Sequence, residues 1–141
     1  MSAQENAKMA RGIYEMFNNR DFDGMAALAA ENMEVVNIPA GATLSGPAGF
    51  RQHAQGWGGA FPDSRVEVTN VIASDEGVVV EFRGRGTHTG PLASPAGEIP
   101  ATGKSVDIPF CDIYQVKGGK LSSLHAYFDS ATMLRQLGLI S

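Results

Sequence analysis

Apolar and polar residues repeat with two different periods along this chain, and the change of period divides it. In the first part, Met9, Ile13, Met16 and Phe17 recur at helical spacing and predict an amphipathic helix over roughly residues 3–18. Asn18-Asn19-Arg20 ends it, and Asp21 is placed to cap a second helix with Phe22, Met25, Leu28 and Ala29 on its inner side. Residues 34–38 read as a short strand closed by Pro39. Ser45-Gly46-Pro47 opens a third helix, with Phe50, Ala54, Trp57 and Phe61 along one stripe. Gly49, Gly56, Gly58 and Gly59 weaken that helix and loosen its end.

From residue 66 the period becomes two. Val66, Val68, Asn70 and Ile72 alternate with polar neighbours, and Ser74-Asp75-Glu76-Gly77 forms a turn. Residues 78–88 follow as a long strand in which Val80, Phe82, Gly84, Gly86 and His88 share a face. Two glycines on one face predict a bend or a close backbone approach. Residues 89–104, with Pro91, Pro95 and Pro100, read as a loop at a lid or rim. The strand 106–116, the hairpin signal Lys117-Gly118-Gly119-Lys120, a returning strand and a short helix over 131–139 complete the chain. Helices followed by strands joined through short turns predict one α+β domain over residues 1–141. Its bent antiparallel sheet is covered on one side by helices and encloses an apolar pocket.

One residue breaks this pattern. Val106, Ile108, Phe110, Asp112, Tyr114 and Val116 fall on one face, and only Asp112 among them is charged. A carboxylate in a buried register must find a partner or change its pKa. If Gly118-Gly119 make a two-residue turn, Asp112 faces His125 and Phe110 faces Tyr127, and Asp129 lies further along the same wall. A longer loop or a bulge dissolves that pairing. Two plainer readings stand beside it: Asp112 as a buried carboxylate satisfied by backbone donors, and Asp129 as the cap of the last helix.

Composition narrows the partners. Hydrophobic residues make up 43% of the chain and the net charge is −4, which disfavours nucleic acid and anionic membranes. Cys111 is the single cysteine, so no disulfide forms within the chain, and a cytoplasmic setting suits it. The N-terminus lacks an export signal and no segment has the length of a membrane span. His53, His88 and His125 are scattered, so no metal site is expected. Val71, Val79, Ile113, Leu124 and Phe128 put apolar surface on or near the face opposite the pocket, which predicts a homodimer.

Short motifs add a family likeness. Arg85-Gly86-Thr87-His88-Thr89-Gly90-Pro91, Pro100-Ala101-Thr102-Gly103-Lys104 and Asp112-Ile113-Tyr114-Gln115-Val116 carry it. So do Gly119-Lys120-Leu121, Tyr127-Phe128-Asp129, Leu134-Arg135-Gln136-Leu137-Gly138 and Phe61-Pro62-Asp63. In order and spacing the chain resembles the SnoaL-like polyketide cyclases of the NTF2-like superfamily over nearly its whole length. The resemblance implies a cone-shaped α+β fold with a deep pocket, a small-molecule substrate, and dimers. It also implies intramolecular aldol condensation of a polyketide methyl ester without metal or cofactor, with an aspartate as general acid/base. The family's Tyr-aromatic-Asp motif matches Asp129, while positions where members carry a histidine and an acid in the final strand hold Leu124 and Ala126.

The expected site therefore has Asp129 as the shuttling acid/base, with His125 and Asp112 orienting it or polarising a substrate carbonyl. Tyr14 and Tyr127 are placed to donate to an enolate oxygen. Phe17, His53, Trp57, Phe61, His88, Phe110 and Tyr114 complete the expected pocket lining. An epoxide-hydrolase-like activity is the alternative if Arg83 or Arg85 turns inward beside Asp129 or Asp112. A third reading is a pocket or dimerisation domain that binds without turnover.

Overall fold

The structure is a computed structural model that describes residues 2–141. Helix α1 (Ala3–Asn18) begins with a reciprocal Ser2/Glu5 capping box, and α2 (Phe22–Ala27) is capped by Asp21 as its sequence predicts. Strand β1 (Ala29–Asn37) takes in Ala29, which the helical stripe had claimed, and runs longer than expected. A short β2 (Ala42–Ser45), too brief to show a period, leads into α3 (Gly46–Ala60). Strands β3 (Arg65–Ala73) and β4 (Gly77–Thr87) come next. The expected loop then contains a small hairpin of β5 (Leu92–Ser94) and β6 (Gly97–Ile99). Leu92 is buried there, which anchors the segment. The long hairpin of β7 (Ser105–Lys117) and β8 (Lys120–Phe128), then α4 (Ser130–Gln136), close the chain.

Six strands form one sheet in the order β2-β1-β8-β7-β4-β3. β1 runs parallel to β8, and the other neighbours are antiparallel. Helix α1 packs against β3 and β4, and α3 against β1, so helices cover one face of the sheet and leave the other open. The expected α+β cone is the fold that forms. β3 is an outer strand, and Asn18 protects its end: its side chain accepts from the Val66 N–H at 2.8 Å and donates to the Val66 carbonyl at 3.0 Å.

The apolar interior has two parts. The larger gathers Ile13, Tyr14, Phe50, Val80, Tyr114 and Leu124 under the helices. The smaller gathers Phe61, Ile108, Met133 and Leu137 beneath α4. The two glycines of β4 are explained by close approach. A side chain at Gly84 would meet the Phe110 ring at 2.6 Å, and one at Gly86 would meet Phe61 and Ser64 at 3.0 Å. The Phe110 ring and the Phe61–Ser64 turn therefore occupy the space where Cβ atoms would otherwise stand.

Two bulges reset the alternation. Between Val68 and Asn70 the β3 register shifts, so Val71 and Ala73 join the core and Ile72 turns outward, the reverse of the simple alternation. The second bulge lies in β8. Gly118 and Gly119 both take positive φ, at 60° and 76°, and Lys117 pairs with Lys120 as a two-residue turn requires. Val116 still pairs with Leu121, but Gln115 then pairs with Ser123, leaving Ser122 as the extra residue.

Candidate active site

The bulge at Ser122 decides which β8 residues face the interior. Asp112 pairs with Ala126, Ile113 with His125 and Cys111 with Tyr127. The expected pairing of Asp112 with His125 and of Phe110 with Tyr127 is thereby corrected. His125 lies on the outer face, where its Nε2 sits 3.5 Å from Glu34 Oε1, and Tyr127 is 40% exposed beside it. Leu124, Ala126 and Phe128 take the inward positions. The apolar spacing carries this signal: Leu121 and Leu124 are both buried and three residues apart, a separation a regular strand cannot place on one face.

Asp129 does not join Asp112 either. It follows β8 and caps α4, accepting from the Thr132 backbone N–H at 3.0 Å and the Thr132 hydroxyl at 2.7 Å. These bonds hold its carboxyl below the usual range, and it is exposed. The three ionisable groups expected on one wall are thus divided among the interior, the outer face and a helix cap. His88 is corrected as well. It is fully buried against Phe61, and its Nδ1 lies 2.9 Å from the Thr102 hydroxyl, tying the start of the 88–104 segment to its end.

What remains inside is Asp112, with one partner that strand alternation already places beside it and one that only tertiary packing brings. The Tyr14 hydroxyl, from α1, donates to Asp112 Oδ2 at 2.7 Å. The Tyr114 hydroxyl, two residues along β7, reaches the same oxygen at 3.3 Å and lies 3.0 Å from the Tyr14 hydroxyl. Among the described residues no hydrogen bond reaches Asp112 Oδ1, while the residue lines the cavity. One oxygen is fixed and the other has no protein partner.

Burial sets the protonation of this cluster. Desolvation raises the Asp112 carboxyl from 3.8 to about 7, against the opposing pull of the two tyrosine hydrogen bonds. Desolvation also pushes Tyr14 and Tyr114 well above their ordinary value, with the Asp112 charge adding to it, so both stay protonated donors. A carboxyl that titrates near neutrality can accept a proton from carbon and return it to oxygen.

The cavity is narrow and mostly apolar, with a volume of about 80 Å³. Tyr14, Phe17, His53, Trp57, Phe61, Phe110 and Tyr114 all line it, as expected from the sequence. Its aromatic side is tightly built: Trp57 meets Phe128 edge-on at 4.9 Å and Phe110 edge-on at 5.4 Å, and Phe110 stacks on Phe82 at 4.9 Å. His53 is a half-buried member of the wall, and desolvation lowers its imidazole to about 4, leaving it neutral.

Neither arginine completes an Asp-Arg-Asp arrangement with Asp112 or Asp129. Arg83 and Arg85 both engage Asp107, at 2.8 and 3.1 Å. Among the described residues no group of three His, Cys, Asp or Glu side chains is arranged to hold a metal ion, and no helix is long and apolar enough to cross a membrane.

Comparison with known proteins agrees with this architecture. AclR, a candidate hydroxylase from Streptomyces galilaeus, superposes with a TM-score of 0.83 at 19% identity, covering 99% of this chain and 89% of AclR. IdmH, a candidate polyketide cyclase from Streptomyces antibioticus, gives 0.77 at 23% identity, covering 94% and 98%. A hypothetical protein with a ketosteroid isomerase-like fold from Catenulispora acidiphila, solved with trimethylamine, gives 0.74 at 16% identity, covering 90% and 89%. At these identities the likeness establishes the fold, and no curated protein matches in sequence. The sequence profile of the SnoaL-like polyketide cyclases matches residues 7–137, and with a cone and enclosed pocket of this kind the chain belongs to that family.

Proposed function

We propose that this protein is a cofactor-independent acid/base enzyme acting on a small apolar carbonyl compound by enolate chemistry of the cyclase type. The supporting observation is the asymmetry of Asp112, a residue of the cavity lining: Oδ2 is held by Tyr14 and Oδ1 has no protein partner among the described residues. In this reading the Asp112 carboxylate removes a proton from the carbon next to a carbonyl; the electron pair of that C–H bond forms the enolate C=C bond and the carbonyl π pair moves onto oxygen. The enolate carbon then attacks an acceptor carbonyl or is reprotonated, and the proton held by Asp112 returns to the product. Apolar walls keep water from competing and strengthen each hydrogen bond. The acid/base role expected of Asp129 passes to Asp112, because Asp129 is exposed and already bonded to Thr132.

The test is exchange of α-hydrogen for deuterium in a cyclic ketone, followed by NMR. Wild-type protein is expected to catalyse it and Asp112→Asn to lose it. Equal rates in both proteins overturn the assignment, and ligand binding without any exchange favours a binding role.

The same reading extends to assembly, with a second copy of the chain as partner of the open sheet face. Successive pairings put Val36, His125, Ile113, Val79 and Ile72 in one row across that face. Ile72 is 62% exposed and Ile113 38%. A scattered apolar residue needs no explanation, but a row in which four of five strands contribute an apolar residue, with His125 the exception, does. Sedimentation of wild type against Ile113→Glu tests this: a dimer that becomes a monomer supports it, and a wild-type monomer refutes it.

A further inference from the structure

The cavity wall holds a second polar side chain whose hydrogen-bonding capacity is unused. Among the described residues no hydrogen bond reaches the His53 ring, although it lines the cavity. Most other polar groups of the wall are engaged: the tyrosine hydroxyls with Asp112 and each other, the Ser64 hydroxyl with Arg20 at 3.2 Å, and Arg85 with Asp107. Asp112 Oδ1, the His53 imidazole and the Trp57 indole N–H are left.

Ring contacts between α3 and β7 fix where His53 and Asp112 stand. Phe50 on α3 meets Tyr114 on β7 at 6.5 Å, and Trp57 on α3 meets Phe110 on β7 at 5.4 Å. His53 lies between the two α3 residues, and Asp112 lies midway between the two β7 residues. Helix and strand therefore run past one another so that His53 and Asp112 occupy the same level of opposite walls. Both line a cavity of about 80 Å³, which admits only a compact ligand.

We infer that His53 is a substrate-binding residue that donates a hydrogen bond to a carbonyl oxygen while Asp112 faces the adjacent carbon, so that the substrate class is a compact ketone. This rests on the proposed enolate chemistry for its consequence but not for its binding claim. A neutral imidazole offers one N–H and one lone pair, and the low basicity of His53 keeps it in that form throughout the working range of Asp112. The N–H bond to the carbonyl oxygen shortens as negative charge gathers there, and no proton needs to leave the imidazole.

Cyclohexanone is the probe, with methylcyclohexane as the oxygen-free control. Calorimetric binding to wild type, His53→Leu and His53→Asn separates packing from hydrogen bonding, since leucine fills space without polar atoms and asparagine restores a donor. Cyclohexanone affinity is expected to fall about tenfold in His53→Leu and to recover in His53→Asn, while methylcyclohexane affinity holds in both. In Asp112→Asn, where the carboxyl that titrates near 7 is gone, binding should stay level from pH 5 to 9, as a neutral His53 donor requires. Equal ketone affinity in wild type and His53→Leu, no recovery with asparagine, or no wild-type binding of cyclohexanone overturns the inference. Failure of the enzyme reading looks different: the ketone still binds in a His53-dependent way, but its α-hydrogens do not exchange.

Discussion

The Tyr14 hydroxyl lies 2.7 Å from Asp112 Oδ2, joining the first helix to the middle of the sheet across 98 residues of sequence. That contact turns a buried carboxylate from a fault in the core into an oriented group, because it leaves Oδ1 as the one oxygen an incoming molecule can meet. It also makes the first prediction. Tyr14→Phe removes a hydrogen bond that lowers the Asp112 pKa, so the carboxyl should titrate above its present value of about 7. Carbon-13 NMR of the Asp112 carboxyl reads this directly, and the rising limb of the pH–rate profile should move with it. The rate at neutral pH should fall about tenfold.

Burying Asp112 should cost stability in a defined pH window. Its folded pKa, about 7, exceeds the ordinary 3.8, so between those values the folded protein holds a proton that the unfolded chain has released. Stability therefore declines as pH rises through that window and levels off above it. The full difference is on the order of 4 kcal/mol, taken as an upper bound. Asp112→Asn keeps an acceptor for the two tyrosines without a charge. Denaturant titrations should show it more stable than wild type at pH 8 and nearly equal at pH 4, the reverse of its effect on activity.

Asp129 and His125 should be separable from the chemistry. Asp129→Ala removes the cap of α4 and should lower the thermal midpoint by a few degrees, while Asp129→Ser, which can still cap, should lower it less. His125→Ala acts on the outer face. Ketone exchange measured below the melting transition should remain within about twofold of wild type in all three.

Glycines give a contrast in sign. A Cβ at Gly56 would meet nothing within 4 Å, so Gly56→Ala should stabilise α3 by roughly 0.5–1 kcal/mol in chemical denaturation. A Cβ at Gly84 would meet the Phe110 ring at 2.6 Å. Gly84→Ala should therefore push that ring toward the cavity, destabilise the protein and weaken cyclohexanone binding.

Much of this was legible in the chain. Helical spacing found α1, Asp21 announced α2, and the two glycines after Lys117 set the hairpin turn, because each of these is decided by neighbours in sequence. Asp112 was legible as an anomaly for the same reason: strand alternation needs no tertiary knowledge. Of its partners, Tyr114 was legible two residues along the same face; Tyr14 sits on the buried stripe of α1 with Ala10, Ile13 and Phe17, and only the packing of α1 on the sheet brings its hydroxyl to the carboxylate. Nor does Asp129 announce which of its two readings holds, since capping and catalysis ask for the same residue type. The register past Gln115 failed as a prediction because the extra residue, Ser122, is small and polar and marks itself only through the positions of Leu121 and Leu124.

The β7–β8 hairpin accordingly has two ways to zip from the same turn. The straight one, favoured by the turn alone, would bring imidazole beside carboxylate and turn Leu124 out to water. The kinked one is selected only when α1 and α3 arrive to cover Leu124. An isolated peptide of this hairpin should therefore sample both pairings, and the ordering of its residues should await docking of the helices.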